Sequence, residues 1–191
     1  MRQILNSNSM FYVPFLHLKV WDWEIKKEKL LELIKSENFS KGERDNTTTD
    51  YHYLYPHQQE NKQDPKGYTQ QVQDILDEEL NVFVNHHGLT KCEIVSSWFE
   101  LSQKNQYHEV HNHGSTGFSS ACFVDYDEDV HTPTKFIGPF LNFQNGNLLE
   151  FEPDNVGEGS IIFFPSSIFH YTKPNNDSKI RTILAFNLDC Q

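Results

Sequence analysis

Apolar residues recur with a helical period in two stretches of the first ninety residues. In residues 23–35 they fall mostly at helical spacing between Glu and Lys, and Asp22 stands where an N-cap is expected. The second stripe is clearer, with apolar residues at i, i+3, i+4, i+8, i+11 and i+12 from Val72, followed by Gly88 at the C′ position. The pattern therefore predicts amphipathic helices over residues 23–35 and 68–87.

The segments around these helices lack that period. Residues 11–20 are apolar but contain Pro14, which favours an edge strand over a central one. Residues 36–67 are polar and show no sustained period, so we expect a long loop with little regular structure. Three tyrosines indicate that this loop packs on the domain, with lining of a substrate cleft as the alternative: Tyr51, Tyr53 and Tyr55.

From residue 92 the pattern changes to short β-branched and aromatic segments separated by turns. Such segments predict an antiparallel β-sandwich or barrel. We expect one domain over residues 1–191, with a helical and loop extension (1–90) packed on one sheet of a β core (91–190). The expected strands are 93–101, 118–126, 135–143, 148–152, 160–164, 168–173 and 179–188.

Composition narrows the partners and the compartment. The 27 acidic and 16 basic residues give a net charge of −11, which disfavours nucleic acid as a partner. No apolar run approaches the roughly 20 residues needed to span a bilayer, and the first residues lack the apolar core of a signal peptide. Cys92, Cys122 and Cys190 are widely spaced and odd in number, so we expect reduced thiols in a soluble, cytoplasmic protein without a membrane partner.

Histidines are concentrated in residues 108–113. Side chains alternate along a regular strand, so Tyr107, His111 and His113 would face one way and His108 the other. His111 and His113 can therefore share one metal ion, whereas His108 could join them only if the strand is bulged. Tyr107 has the parity to enter the same pocket, although a strand tyrosine is more often part of the core.

A third ligand is expected from the C-terminal region. The turn at residues 174–178 predicts a symmetric hairpin that pairs position 170 with position 181. His170 would then lie beside Arg181, which would place a neutral imidazole for a metal next to a cation for an anionic ligand. Asn187 shares the face of Arg181 and would either support that ligand or end the strand.

These motifs resemble those of the iron(II)- and 2-oxoglutarate-dependent oxygenases. The resemblance covers about residues 90–190 and rests on His111-x-His113, on residues 159–166 leading to His170, and on residues 181–187. Its most specific part is the Phe-Pro-Ser-x-x-x-His block followed by Arg and a terminal Phe-Asn. More narrowly, the chain is similar to the branch related to prolyl 4-hydroxylases that is common in marine bacteria and phages, so a viral origin would place it in the host cytoplasm.

The resemblance implies a mainly β fold, a double-stranded β-helix or jelly roll with two or more N-terminal helices packed on one sheet. It also implies Fe(II) and 2-oxoglutarate as cofactors, with the far carboxylate of the keto acid on Arg181. Tyr107 and Asn187 are the further candidates for cofactor binding. O2 would convert the keto acid to succinate and CO2 while a C–H bond of a prolyl residue, another peptide side chain or a small molecule is hydroxylated. A guanidinium fork suits a carboxylate, and imidazoles with open coordination positions suit iron(II).

His113 departs from the superfamily pattern, which is His-x-Asp or His-x-Glu with a distal His. Three interpretations are open. In the first, His111, His113 and His170 are all catalytic metal ligands. In the second, His111 and His170 recruit a nearby carboxylate such as Glu109. In the third, the site binds zinc or no metal.

Two other functions are alternatives to the hydroxylase. One is a three-histidine dioxygenase that does not use 2-oxoglutarate, and the other is a β-sandwich interaction module of a virion. The acidic run at residues 125–129 is interpreted as a solvated loop. The substrate and the oligomeric state are not indicated by the sequence. Isolated histidines are not expected to be ligands: His17, His52, His57 and His131.

Overall fold

The structure is a computed structural model that describes residues 12–41, 46–55 and 67–191. Its helices are α1 (Trp23–Leu31), α2 (Tyr51–Leu54), α3 (Thr69–Ile75) and α4 (Asp77–His87), with a 3-10 turn at Ser36–Asn38. Its strands are β1 (Leu16–Lys19), β2 (Ser40–Lys41), β3 (Thr48–Thr49), β4 (Cys92–Ser102), β5 (His108–His111), β6 (Phe118–Asp125), β7 (Lys135–Leu141), β8 (Leu148–Phe151), β9 (Ser160–Pro165), β10 (His170–Thr172) and β11 (Arg181–Cys190).

Two antiparallel sheets form the β core. The larger sheet has the order β1-β9-β6-β11-β4-β3-β2, and the smaller has the order β5-β10-β7-β8. Apolar side chains of β6, β9 and β11 meet Phe136 of β7 between the sheets. This two-sheet arrangement confirms the predicted mainly β, jelly-roll type of fold.

The helices cover the other face of the larger sheet. Along β11, Leu184 and Phe186 point to the helices while Ile183 and Ala185 point inwards, as a two-residue period requires. Phe83 of α4 is fully buried and stacks on Phe163, with ring centroids 4.6 Å apart. The expected packing of the N-terminal helices on one sheet is confirmed.

The ends of the helices differ from the prediction. α1 ends at Leu31 instead of residue 35, and Asp22 precedes it in a left-handed conformation without a side-chain capping bond. The predicted second helix is two helices, α3 and α4, which meet at Leu76. α4 begins with three acidic residues, which favour a new N-terminus there. Gly88 ends α4 in the left-handed region (φ 65°), as predicted.

The predicted long loop contains more regular structure than expected. β2, β3 and α2 lie within residues 36–67, because Thr49 and Asp50 form hydrogen bonds to the backbone of Phe99 on β4. Tyr55 packs in the core, while Tyr51 lines a cleft described below. Parts of the loop prediction, including His57, fall on residues 42–45 and 56–66, outside the described residues.

The edge-strand prediction is confirmed for β1, which lies at the border of the larger sheet and pairs with β9. Residue 11 and those before it are outside the described part of the chain. None of the described helices is long and apolar enough to cross a membrane.

The cysteines differ from the expectation of three reduced thiols. Cys92 and Cys190 lie opposite each other on β4 and β11 and form a disulfide. The antiparallel register of these two strands brings together residues 98 positions apart. Cys122 is a free, buried thiol.

Candidate metal centre

Three histidines come together where the smaller sheet faces the larger one. His111 ends β5, His113 follows it by two residues, and His170 begins β10 directly opposite His111. The candidate ligand atoms of the three all lie within 4.8 Å of one another. The structure thus brings together all three histidines that the sequence predicted as ligands.

The hydrogen bonds of these rings orient their Nε2 atoms towards a common point. His111 Nδ1 lies 2.8 Å from the Glu109 carbonyl, His113 Nδ1 lies 2.7 Å from Asn187 Oδ1, and His170 Nδ1 lies 3.0 Å from the Ile168 carbonyl. Each partner is an oxygen acceptor, so each Nδ1 carries the proton and donates it. Each Nε2 is then left with a lone pair, which is the form that binds a metal.

The separation of two of the candidate ligand atoms fits one shared cation. His111 Nε2 and His113 Nε2 are 3.2 Å apart. Two imidazole ligands at a right angle on an ion with bonds of about 2.1 Å would be about 3 Å apart. Without a cation, two lone pairs at that distance would repel each other, so the ring orientations favour a metal site.

The lowered pKa values of His113 and His170 also favour a metal site. Burial, followed by the proximity of His111, lowers the pKa of His113 to about 4. Burial also lowers the pKa of His170, with His111 and His113 as further causes. Neutral imidazoles are therefore available to a metal at neutral pH without loss of a proton.

His108 lies on the same side as the ligands, contrary to the parity argument. His111 pairs with His170 but His108 pairs with Thr172, so the four residues 108–111 of β5 oppose the three residues 170–172 of β10. The extra residue is a β-bulge, which turns the His108 side chain to the other face. Its ring stacks on that of His111, with centroids 3.9 Å apart and planes 21° from parallel.

A buried carboxylate that the sequence interpretation missed lies beside this cluster. Glu100 of β4 is 8% exposed; its Oε1 accepts a hydrogen bond from Trp98 Nε1 (3.0 Å), and its Oε2 lies 3.1 Å from His108 Nδ1. Burial alone would raise its pKa, but His108 and Trp98 hold the pKa of this carboxyl well below its usual range. Glu109 is exposed, and its contact with His111 is through the backbone carbonyl, so the structure does not bring the Glu109 carboxylate to the site.

Arg181 does not pair with His170 as the hairpin prediction required. β10 belongs to the smaller sheet and β11 to the larger, and Arg181 lies opposite Ser102 of β4. The chain crosses between the sheets after the turn, which local spacing could not show. Both side chains are nevertheless buried, His170 at 5% exposure and Arg181 at 2%.

The Arg181 guanidinium retains donor capacity in a buried place. Nη1 donates to the Thr132 carbonyl and Nη2 to the Ser102 hydroxyl, while the buried Nε has no hydrogen-bond partner among the described residues. No described carboxylate forms an ion pair with it, and burial lowers its pKa, with Glu100 and Tyr126 opposing. A buried cation with an unpaired N–H suits a carboxylate ligand.

β4 and β11 form one wall of the site through paired inward-facing residues. Along β11, Asn187, Ala185, Ile183 and Arg181 follow one another at two-residue steps of roughly 6.6 Å each. Ala185 and Ile183 line the pocket with the three histidines. The β4 residues that pair with Asn187, Ala185, Ile183 and Arg181 are, in that order, Ser96, Trp98, Glu100 and Ser102.

Two of the predicted cofactor-binding residues have different environments from those expected. Asn187 lies within β11 and does not end it; its amide bonds His113, Ser119 and Ser96. Tyr107 is half-buried before β5 and is not among the residues that line the metal pocket or the cleft. Contact of Asn187 or Tyr107 with a keto acid stays a prediction.

An open cleft leads to the histidines. It has a volume of about 340 Å³ and shares Glu100, His108, His111 and His113 with the metal pocket below it. Its outer wall is the segment before and within α2, together with Trp98. This wall consists of Thr47, Thr49, Tyr51 and His52.

The histidines rejected as ligands lie outside the triad wherever the structure describes them. His131 Nδ1 accepts the amide N–H of Asp127, and its Nε2 donates to the Lys179 carbonyl. The acidic run near it is paired with lysines, Asp125 with Lys27 and Asp127 with Lys179. These pairs agree with an exposed, charged loop.

Solved structures with this fold include two prolyl hydroxylases. The viral collagen prolyl hydroxylase vCPH of Paramecium bursaria Chlorella virus-1 has a TM-score of 0.58 at 13% identity, over 91% of this chain and 94% of that one. A Pseudomonas putida prolyl-4-hydroxylase has a TM-score of 0.52 at 12% identity, over 91% of each chain. The carbocyclase SnoK of nogalamycin biosynthesis has a TM-score of 0.59 at 8% identity, over 91% of this chain and 79% of that one. A search of curated proteins found no match.

The fold is similar to that of iron(II)- and 2-oxoglutarate-dependent oxygenases, and the three histidines could hold a metal ion. Residues 96–187 match the model of the family described as "Putative 2OG-Fe(II) oxygenase". The cofactors of the class are Fe(II) and 2-oxoglutarate. The convergent Nε2 atoms and the buried, unpaired Arg181 N–H fit these two groups.

Proposed function

We propose that this protein hydroxylates a C–H bond of a peptide side chain, with a prolyl residue as the first candidate. One atom of O2 would enter the C–H bond and the other would enter 2-oxoglutarate, which leaves as succinate and CO2. The observation that carries the proposal is the set of three Nε2 lone pairs at the floor of an open cleft. Arg181 follows on the same wall as the position for the far carboxylate.

The residues of the site would have separate roles in metal binding and keto-acid binding. His111, His113 and His170 would hold the iron, which when bound supplies the activation of O2. Arg181 would bind the far carboxylate of 2-oxoglutarate through its planar donors and so fix the direction of the keto acid. Ile183 and Ala185 line the metal pocket on the strand that carries Arg181, and their apolar side chains would keep water away from a bound keto acid.

The cleft favours a side chain presented from outside. Its volume of about 340 Å³ lies at the lower end of ligand pockets, roughly 300–1,000 Å³. Tyr51 and Trp98 meet edge to face at 5.1 Å and offer an aromatic wall suited to an apolar ring such as proline. The likeness in fold to two prolyl hydroxylases supports this substrate class.

Anaerobic titration of the iron(II) protein with 2-oxoglutarate tests cofactor binding. We expect the weak visible charge-transfer band of the chelate, and we expect Arg181→Ala to lose the band at keto-acid concentrations that saturate the parent. Lys41→Ala removes an exposed cation and should keep it. Iron(II) binding without a band would overturn the keto-acid assignment.

Turnover tests the reaction. The protein with iron(II), ascorbate, O2 and 2-oxoglutarate should add 16 mass units to members of a proline-containing peptide panel and release one succinate per hydroxylation. Hydroxylated small molecules without hydroxylated peptides would contradict the peptide class. His111→Ala and His170→Ala should abolish both products.

One observation favours a second candidate, since a triad of imidazoles without a carboxylate also suits a dioxygenase that binds its substrate directly to the metal. That candidate predicts O2 consumption with a chelating substrate and no requirement for 2-oxoglutarate. If the parent and both histidine variants fail to bind iron(II), both enzymatic functions are excluded and the interaction module gains support.

A further inference from the structure

The three-histidine set leaves the candidate metal centre without the negative charge that a ligand carboxylate would supply. In the usual facial set of two histidines and one carboxylate, the charges of iron(II), the ligand carboxylate, 2-oxoglutarate and one basic residue cancel. With His113 in the carboxylate position, the same components leave one net positive charge in a buried site. An unbalanced buried charge is costly, so another anion is expected nearby.

Glu100 has the position of such an anion. It lines both the cleft and the metal pocket, and it lies on β4 opposite Ile183, between the pairs formed by Trp98 and Ser102. No other described carboxylate lines the metal pocket.

The Glu100 carboxylate is held by two contacts and reaches the ligand set through one of them. Trp98 Nε1 donates to Oε1, and Oε2 accepts from His108 Nδ1. The His108 ring lies against the ring of His111 at 3.9 Å. The bulge in β5 makes this arrangement possible, because a regular strand would turn His108 away.

We propose that Glu100 supplies the charge that the ligand set lacks, and that with His108 it positions His111. Glu100 is therefore a positioning residue outside the ligand set. The proposal rests on the proposed function, since it assumes iron(II) and 2-oxoglutarate at this site.

Metal affinity of the metal-free protein is the first readout. Titration with cobalt(II), as a spectroscopic substitute, and anaerobically with iron(II) should show a loss of about 10-fold or more in Glu100→Gln, the range typical of groups that support metal ligands. Gln keeps the size of the side chain and an oxygen acceptor but removes the charge. Glu93→Gln, on the same strand but exposed, should bind metal like the parent.

The affinity for 2-oxoglutarate separates a charge effect from a general distortion. Once metal is saturating, Glu100→Gln should bind the 2-oxoglutarate dianion as tightly as the parent or more tightly. Its charge-transfer band should move to higher energy, because loss of the Glu100 charge lowers the energy of the iron d electrons from which the transition starts. Distortion of the site would weaken both metal and keto acid. Equal weakening of both would overturn the proposal.

A transfer of the carboxylate provides a second test. His113→Asp should raise the metal affinity in the Glu100→Gln background relative to Glu100→Gln alone, and should give a smaller gain or a loss when Glu100 is present. Additive effects would contradict the proposal, as would parent-like metal affinity in Glu100→Gln. If the parent shows no 2-oxoglutarate band, the proposed function itself fails, which is a different result from a normal parent with an unaffected Glu100→Gln.

Discussion

His113 Nδ1 lies 2.7 Å from Asn187 Oδ1, and this contact joins a candidate metal ligand to the central strand of the larger sheet. The Asn187 amide is itself fixed, because Oδ1 accepts from the Ser119 hydroxyl and Nδ2 donates to Ser96 Oγ. The ring of His113 is therefore held with Nε2 towards His111 before any metal arrives. Such preorganisation lowers the cost of binding the ion.

Asn187→Ala should weaken metal binding by about 10- to 100-fold, because His113 loses the acceptor that fixes its tautomer and orientation. Titration of the metal-free protein with cobalt(II) measures the change. Asn81→Ala, on the exposed face of α4, is the matched control and should bind like the parent. A parent-like affinity for Asn187→Ala would show that this hydrogen bond does not position the ligand.

Tyr51→Ala should raise the KM for the hydroxylated substrate by roughly 3- to 10-fold, since an aromatic contact is worth about 0.5–1.5 kcal/mol. The KM for 2-oxoglutarate and the metal affinity should change little, because Tyr51 lines the cleft and is not among the residues lining the metal pocket. Tyr53→Ala is the control, as Tyr53 lies on the same helix with 61% of its surface exposed. A rise in both KM values would place Tyr51 in a structural role instead.

The sequence was sufficient for the β core and for the choice of His111, His113, His170 and Arg181 as candidates. Alternation of apolar residues predicts which side chains of β11 face inwards, because strand parity follows from covalent geometry. The same parity predicts that Asn187 faces inwards. Its hydrogen bond to His113 could not be predicted, because it depends on how the strands are arranged in the fold.

The wrong predictions about His108 and Arg181 have one physical origin, which is that the pairing of strands in the fold is not encoded in local sequence spacing. The parity that excluded His108 fails because β5 contains an extra residue relative to β10. The hairpin that paired His170 with Arg181 fails because the chain passes from one sheet to the other. A glutamate inside the apolar run of β4 was the available signal for Glu100, since carboxylates are rarely buried without a partner.

The pH dependence of stability should carry a contribution from Asp50. Burial raises the pKa of Asp50 to about 6, although Tyr68 Oη and the Phe99 amide donate to its carboxylate. The unfolded value is about 3.9, so the folded state holds the proton more tightly, and this contribution to the free energy of unfolding falls by roughly 2 kcal/mol as pH rises from 4 to 7. Asp50→Asn should remove it.

The free energy of unfolding of Asp50→Asn, relative to the parent, should therefore increase between pH 4 and pH 7. Denaturant unfolding at a series of pH values measures the difference. Asp74→Asn, an exposed position on α3, shows what removal of one surface charge does to the profile. A difference that is flat with pH for Asp50→Asn, or that has the opposite sign, would contradict the inferred pKa.

The ion pair of Lys26 with Glu79 should couple α1 to α4 strongly. Lys26 Nζ lies 3.0 Å from Glu79 Oε2 and 2.8 Å from Glu78 Oε2, and the Glu79 side chain is fully buried. Lys26→Met would leave that carboxylate buried without its cation, which costs about 3–5 kcal/mol. Glu79→Gln in the same chain should recover at least half of the loss, because Gln is neutral and still offers an acceptor to the Trp21 amide.

Denaturant unfolding of Lys26→Met, of the double variant and of the exposed control Lys29→Met measures these changes in the free energy of unfolding. A double variant no more stable than Lys26→Met would show that lost packing of the lysine stem, and not the uncompensated charge, causes the destabilisation.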